Sequence, residues 1–269
     1  MTPINNLSVL PFYKSLNDQF HRKWYSFGEH YPLITPSGRV LPFQIAVGSG
    51  EAVGIEVHIH DINQSRSERS TQIENALIIT SYPQEDLMLV TYTDPAIITY
   101  LNNKEGRFYL SIRMNNVWYY SEVFHLTKNI DKHLQLVWYS NESLYYVGGH
   151  IQYQFPGNVL YKHTAYIASE LGRPEYIYEE EGEDRDGFFF PEKITSEKRF
   201  KFVFAAPEYL LDAMRTIRLS DNIQIKVEGN VYKCDTFLLS PSWSDRGDLA
   251  TVEAEFETDT VIKRIGMIK

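Results

Sequence analysis

Apolar and polar residues alternate along most of this chain. Val53, Ile55, Val57 and Ile59 interleave with Gly54, Glu56, His58 and His60. Phe108, Leu110 and Ile112 interleave with Tyr109, Ser111 and Arg113. A period of two sends successive side chains to opposite sides of an extended backbone, so each run predicts a strand with one buried face. Asn115-Asn116 separates RFYLSIRM from VWYYSEVFHL and predicts a hairpin turn between them. Leu134, Leu136 and Trp138 carry the alternation onward.

The polar stretch from Thr127 to Lys132 suggests a division there: residues 1–127 as an N-terminal β-sandwich-like domain and 128–269 as a C-terminal β domain with one helix. The second half is more sharply punctuated. The acidic run from Glu175 to Gly187 reads as a solvated loop ending in Asp-Gly. Phe200, Phe202 and Phe204 then alternate with Lys201 and Val203. Pro207 opens a helix predicted to run to Ile217, because proline's missing N–H costs nothing in a first turn. Leu210, Ala213, Met214 and Ile217 fall on one face of it at helical spacing. Ile223, Ile225 and Val227 make a strand face, and Gly229-Asn230 predicts a two-residue hairpin turn. In the last strand Ala250, Val252, Ala254 and Phe256 alternate with Thr251, Glu253, Glu255 and Glu257. The fold class expected is mainly β: two β-sandwich-like domains, the second with one α-helix packed on its sheet.

Composition narrows the functions. The net charge is −9, which argues against phosphate-backbone binding to nucleic acid. A single cysteine, Cys234, leaves no intrachain disulfide framework. No apolar run approaches the roughly 20 residues that span a bilayer, so no membrane insertion is expected. The first residues lack the basic and apolar regions of a signal peptide.

Candidate chemistry is sparse. His58 and His60 share a strand face with Glu56, a metal-like spacing that lacks a placed third ligand. Glu183, Asp184 and Asp186 precede Gly187 but do not form a calcium-loop pattern. Arg246-Gly247-Asp248 reads as a turn. There is no GxSxG, P-loop, dinucleotide fingerprint or HExxH, and Cys234 has no identifiable histidine partner. The chain is therefore expected to be no enzyme and to need no metal or cofactor. Trp118 and Trp138 lie within strand patterns and read as core, whereas Trp24 and Trp243 are candidates for contact with a sugar or a partner.

Three strings carry a resemblance: GRFYLSIRMNNVWYYSEVFHL, LGRPEYIYEEEGEDRDGFFFPEKITSEKRFKFVFAAPEYLLDAMRTIRLSDNIQIKVEGNVY and GDLATVEAEFETDTVIKRIG. Over roughly residues 105 to 266 the chain resembles structural proteins of phages and prophages of the Bacteroidetes, encoded among tail genes. The YYSEVF string at Tyr119 to Phe124 and the GDLATVEAEFETD string at Gly247 to Asp259 are its most specific parts. In its order of strands, helix, hairpin and final strand, the second half also looks like the ring-forming domain of distal tail proteins.

The resemblance implies a structural component of a phage tail, made in the host cytoplasm and carried in the virion. It implies a cyclic homo-oligomer that contacts tube, hub or fibre proteins. The acidic row Glu253, Glu255 and Glu257 and the basic cluster Lys198, Arg199 and Lys201 have opposite sign and are the candidates for the subunit interface. The alternative is a non-catalytic carbohydrate-binding β-sandwich protein.

Overall fold

The computed structural model describes residues 2–3, 8–15, 33–48, 55–62, 70–73, 77–82, 87–92, 99–141, 144–146, 149–152, 162–243 and 249–265. Trp24 and Arg246-Gly247-Asp248 lie outside them. The described chain is mainly β, with a short α-helix at Glu208–Met214 and a further α-helical turn at residues 99–101.

Two sheets dominate. The larger has eleven strands. Its main path runs β19 (Asn230–Lys233), β18 (Asn222–Val227), β12 (Leu134–Tyr139), β15 (His163–Ile167), β3 (Ile34–Pro36), β11 (Phe124–Thr127), β9 (Gly106–Met114), β10 (Val117–Ser121) and β2 (Phe12–Tyr13). On its other edge β9 also pairs with β5 (Ile55–Asp61), which pairs with β6 (Ser70–Ile73). The second large sheet has four strands in the order β16 (Glu175–Arg185), β17 (Phe188–Pro207), β21 (Leu249–Arg264) and β20 (Thr236–Trp243). A smaller sheet joins β1 (Thr2–Pro3), β4 (Gln44–Gly48), β8 (Leu87–Tyr92) and β7 (Leu77–Tyr82), and β13 (Leu144–Tyr146) pairs with β14 (Gly149–Gln152).

The larger sheet does not respect a division at residue 127. β3 pairs with β11 on one side and β15 on the other. One set of hydrogen-bonded strands thus crosses the expected boundary, and the core residues of both halves form one cluster.

The hairpin at Asn115-Asn116 forms as expected, with both residues at positive φ between paired Met114 and Val117. Asparagine tolerates this left-handed conformation, which matches the twist of the flanking strands. The YYSEVF string follows. It holds a one-residue bulge, because Tyr120 pairs with Ser111 whereas Phe124 pairs with Phe108. Ser121 Oγ accepts the Leu110 N–H (2.9 Å) and donates to the Glu122 carbonyl (2.9 Å). The serine hydroxyl thus repairs the ladder where the bulge interrupts it.

The second hairpin turn lies one residue earlier than the sequence suggests. Glu228 and Gly229 occupy the positive-φ positions, and Asn230 pairs with Val227. After Lys233 the returning chain changes sheets. The Cys234 N–H bonds to Ile223 in the eleven-stranded sheet and the Asp235 N–H to Glu257 in the sheet of β16, β17, β21 and β20.

The helix α1 (Glu208–Met214) is shorter than predicted and continues as a 3-10 turn over Arg215–Leu219. Pro207 is its extended cap rather than its first helical residue. The predicted apolar face is correct, for Leu210, Ala213, Met214 and Ile217 are all buried. Phe200, Phe202, Phe204 and Phe256 of the second sheet share their core. Tyr232 of β19 packs against Phe200 and Phe256, which joins the two sheets.

Candidate interaction surfaces

The acidic run is a strand, not a loop. β16 and β17 form a long hairpin closed by Asp186 and Gly187, both at positive φ. Eleven residues of β16 pair with β17, so its backbone groups are met by a ladder instead of water. Glu183 and Asp184 therefore point to opposite sides of the hairpin, which disperses the calcium-like triplet. Glu183 is instead paired with Arg185 at its own strand end.

The hairpin and the end of β21 make an arm. Burial in β17 alternates from Phe200 to Ala206. A period of two carried back from there sets Ile194, Ser196 and Lys198 on the side of Phe200 and Phe202, although Thr195 is the buried residue of that stretch. Register carries Tyr178 and Val261 to that side beside Ser196, and Tyr176 beside Lys198. Tyr176, Tyr178 and Val261 continue this side past the core, and the Lys198–Asp259 ion pair lies beside Tyr176 on it. Tyr176 is 61% exposed, Tyr178 69% and Val261 65%. At the tip Phe188, Phe189 and Phe190 are all exposed. This clustering of large apolar side chains on one projecting element distinguishes it from scattered surface hydrophobics.

The opposite side carries a charge ladder. Arg199 is directly across from Glu257, and Lys201 from Glu255. Arg199 Nε donates to Glu257 Oε1 at 3.0 Å and lies 3.3 Å from Glu255. Lys201 reaches Glu175 at 3.1 Å and Glu255 at 3.8 Å, whereas Lys198, on the other side beside Tyr176, pairs with Asp259 at 3.0 Å. Partial burial opposes ionisation of Glu257, yet hydrogen bonds from Arg199 and Thr236 outweigh it and hold its carboxyl below the ordinary range. The charges assigned to two sides of a subunit boundary meet inside one chain. Glu255 and Glu257 need no neighbour for neutralisation. Glu253, opposite Val203, has no ion pair with a described residue.

A second surface was missed in part. On the outer side of the larger sheet, register aligns Glu56, Arg113 and Trp118 in one row and His58, Ser111 and Tyr120 in the next. His60 lies beside Tyr109 in a third. Trp118, expected in the core, is half-buried on this side, whereas Trp138 is fully buried. The period-two pattern around Trp118 already separated it from core residue Tyr119, and that was the available signal.

Both histidines contact neighbouring side chains. His60 Nε2 bonds to Ser111 Oγ at 2.7 Å, and His60 stacks on Tyr109 with centroids 4.3 Å apart. His58 meets Trp118 edge-on at 5.2 Å. Among the described residues no group of three potential ligands is placed to hold a metal ion. Cys234 is buried, and desolvation pushes its thiol up to about 12, which leaves it a poor nucleophile. Trp243, at the end of β20, is 47% exposed and makes no ring contact with a described aromatic residue. No helix of the described residues is long and apolar enough to cross a membrane.

No protein-family model matches the chain, and no curated protein matches it.

Proposed function

We propose that the protein is a structural component of a bacteriophage tail, a tail-tip, distal-tail or collar element that assembles into a ring and joins the tail to fibres or neighbouring proteins. The observation that carries this reading is the arm, a sheet whose apolar side runs on beyond its own core. Tyr176, Tyr178 and Val261 are each largely exposed, and a neighbouring subunit laid on them would bury them.

The topology supports the same reading. Every neighbouring pair in the order β16, β17, β21, β20 is antiparallel. The two outer strands therefore run in opposite directions. A second copy rotated beside the first sets its β20 antiparallel to β16, and each added copy leaves the same edge open. Such a head-to-tail contact closes into a ring when the rotation divides a circle. The resemblance of residues 105 to 266 to tail proteins gives the ring its biological setting.

The test is the mass of the purified protein by light scattering over a range of concentrations, with negative-stain images of the largest species. Closed rings of one size are expected. A monomer at every concentration, with no ring in the images, would sink the reading.

A further inference from the structure

We infer that the shelf formed by Trp118 and Tyr120 on the outer side of the larger sheet binds a neutral, flat polysaccharide chain. The two rings come from alternate residues of one strand and are nearly parallel, with an interplanar angle of 18° and centroids 6.5 Å apart. Both rings are half-buried, and the Arg113 guanidinium lies over the Trp118 ring, 5.8 Å from its centroid. The C–H faces of pyranose rings pack on such planes, and an extended chain with equatorial linkages presents those faces in series.

The groups around the strip match hydroxyls. Arg113 Nη1 donates to Glu56 Oε1 at 3.3 Å, and Nη2 donates to Asn116 Oδ1 at 2.8 Å. Both charged side chains remain about two-fifths exposed, so they retain capacity for a ligand. His58 stands across Ser111 from Tyr120. Ser111 is fully buried and its Oγ is bonded to His60 Nε2, so ligand contacts in this row fall to His58 and Tyr120. Few polar groups of fixed orientation beside aromatic surface are what a specific ligand site requires.

The same rows disfavour other occupants. Glu56, Arg113, Trp118, His58, Ser111, Tyr120, His60 and Tyr109 include no aliphatic residue, unlike the fully buried centre of a protein interface. One arginine, already paired with a glutamate, gives no basic track for nucleic acid. That pairing also leaves the site without net charge, which favours a neutral chain over an acidic one. The third row is closed, since Tyr109 and Val123 form a buried cluster against which Ile62, Tyr209, Leu249 and one edge of the shelf, Tyr120, pack. This closed side gives the shelf a back wall and leaves Trp118 at its open front.

Affinity electrophoresis with the full chain tests the proposal. Gels contain hydroxyethyl cellulose, glucomannan or, as a helical contrast, soluble starch. Wild type should be retarded by a β-linked polymer and not by starch. Trp118→Ala and Tyr120→Ala should each weaken retardation at least about tenfold. Trp118→Phe should keep most of it. Arg113→Ala, which removes an exposed side chain, serves if the aromatic variants fail to fold, and should weaken binding by about fivefold or more. Trp243→Ala should leave binding unchanged. Unretarded wild type in every gel overturns the proposal, as does binding that survives Tyr120→Ala and Arg113→Ala.

Discussion

The indole N–H of Trp138 donates a 2.7 Å hydrogen bond to Thr216 Oγ1, and both side chains are fully buried. The Thr216 hydroxyl in turn donates to the Ala213 carbonyl at 2.7 Å. A strand of the eleven-stranded sheet is thereby fixed to the end of the helix that packs on the sheet of β16, β17, β21 and β20. Thr216→Val keeps the shape but leaves the indole N–H without its acceptor. This should cost about 1–3 kcal/mol, read as a lower denaturant midpoint with an unchanged slope. An unchanged midpoint would mean that water or a shifted carbonyl takes the N–H.

Leu210 is buried on the packed side of α1. Leu210→Ala should destabilise by about 2–5 kcal/mol, through lost burial and the cavity left behind. Glu208 is exposed in the first turn, and Glu208→Gln should cost less than about 1 kcal/mol. Chemical denaturation of the two variants side by side checks the contrast.

His163 stacks on Trp138 with centroids 5.2 Å apart. Its complete burial lowers its pKa from 6.5 to about 3. The unfolded chain thus binds a proton at this residue before the folded one does. Stability is whole above pH ~6.5 and falls as the pH drops towards 3, by up to about 1.4 kcal/mol per pH unit. His163→Phe should flatten that part of the stability profile. An equal slope in both proteins between pH 6.5 and 4 would remove His163 as its cause.

The pairing of Arg199 with Glu255 and Glu257 predicts an effect on the single chain. Arg199 is about three-tenths exposed, so water screens part of the attraction. Glu257→Gln should cost about 0.5–2 kcal/mol, and Glu253→Gln less than about 0.5 kcal/mol. Thermal melts at a concentration where wild type is monomeric separate this from any loss of assembly. Equal costs at the two sites would deny the ladder its role.

The arm should matter to assembly and not to folding. Replacing Tyr176, Tyr178 and Val261 together with serine removes apolar surface that no described residue covers. The variant should melt within about 1 kcal/mol of wild type yet sediment as a smaller species. Rings of undiminished mass would mean that the arm lies outside the subunit contact.

Local order was legible in the residues themselves. Alternation in Phe200, Phe202 and Phe204 set which side each strand buries, because a strand has only two sides. Asn115-Asn116 set its own turn, since few residues accept positive φ. The helix face followed from the spacing of Leu210, Ala213, Met214 and Ile217. Only the tertiary structure decided which strands meet. Arg199 and Glu257 are 58 residues apart, and their pairing depends on β17 lying against β21 in one register. The acidic run with the look of a loop became a strand through its hairpin ladder to β17, which outweighs the poor strand preference of glutamate. Long-range pairing also set Trp118 and Tyr120 beside His58, on strands joined only through β9, where no spacing along the chain could have placed them.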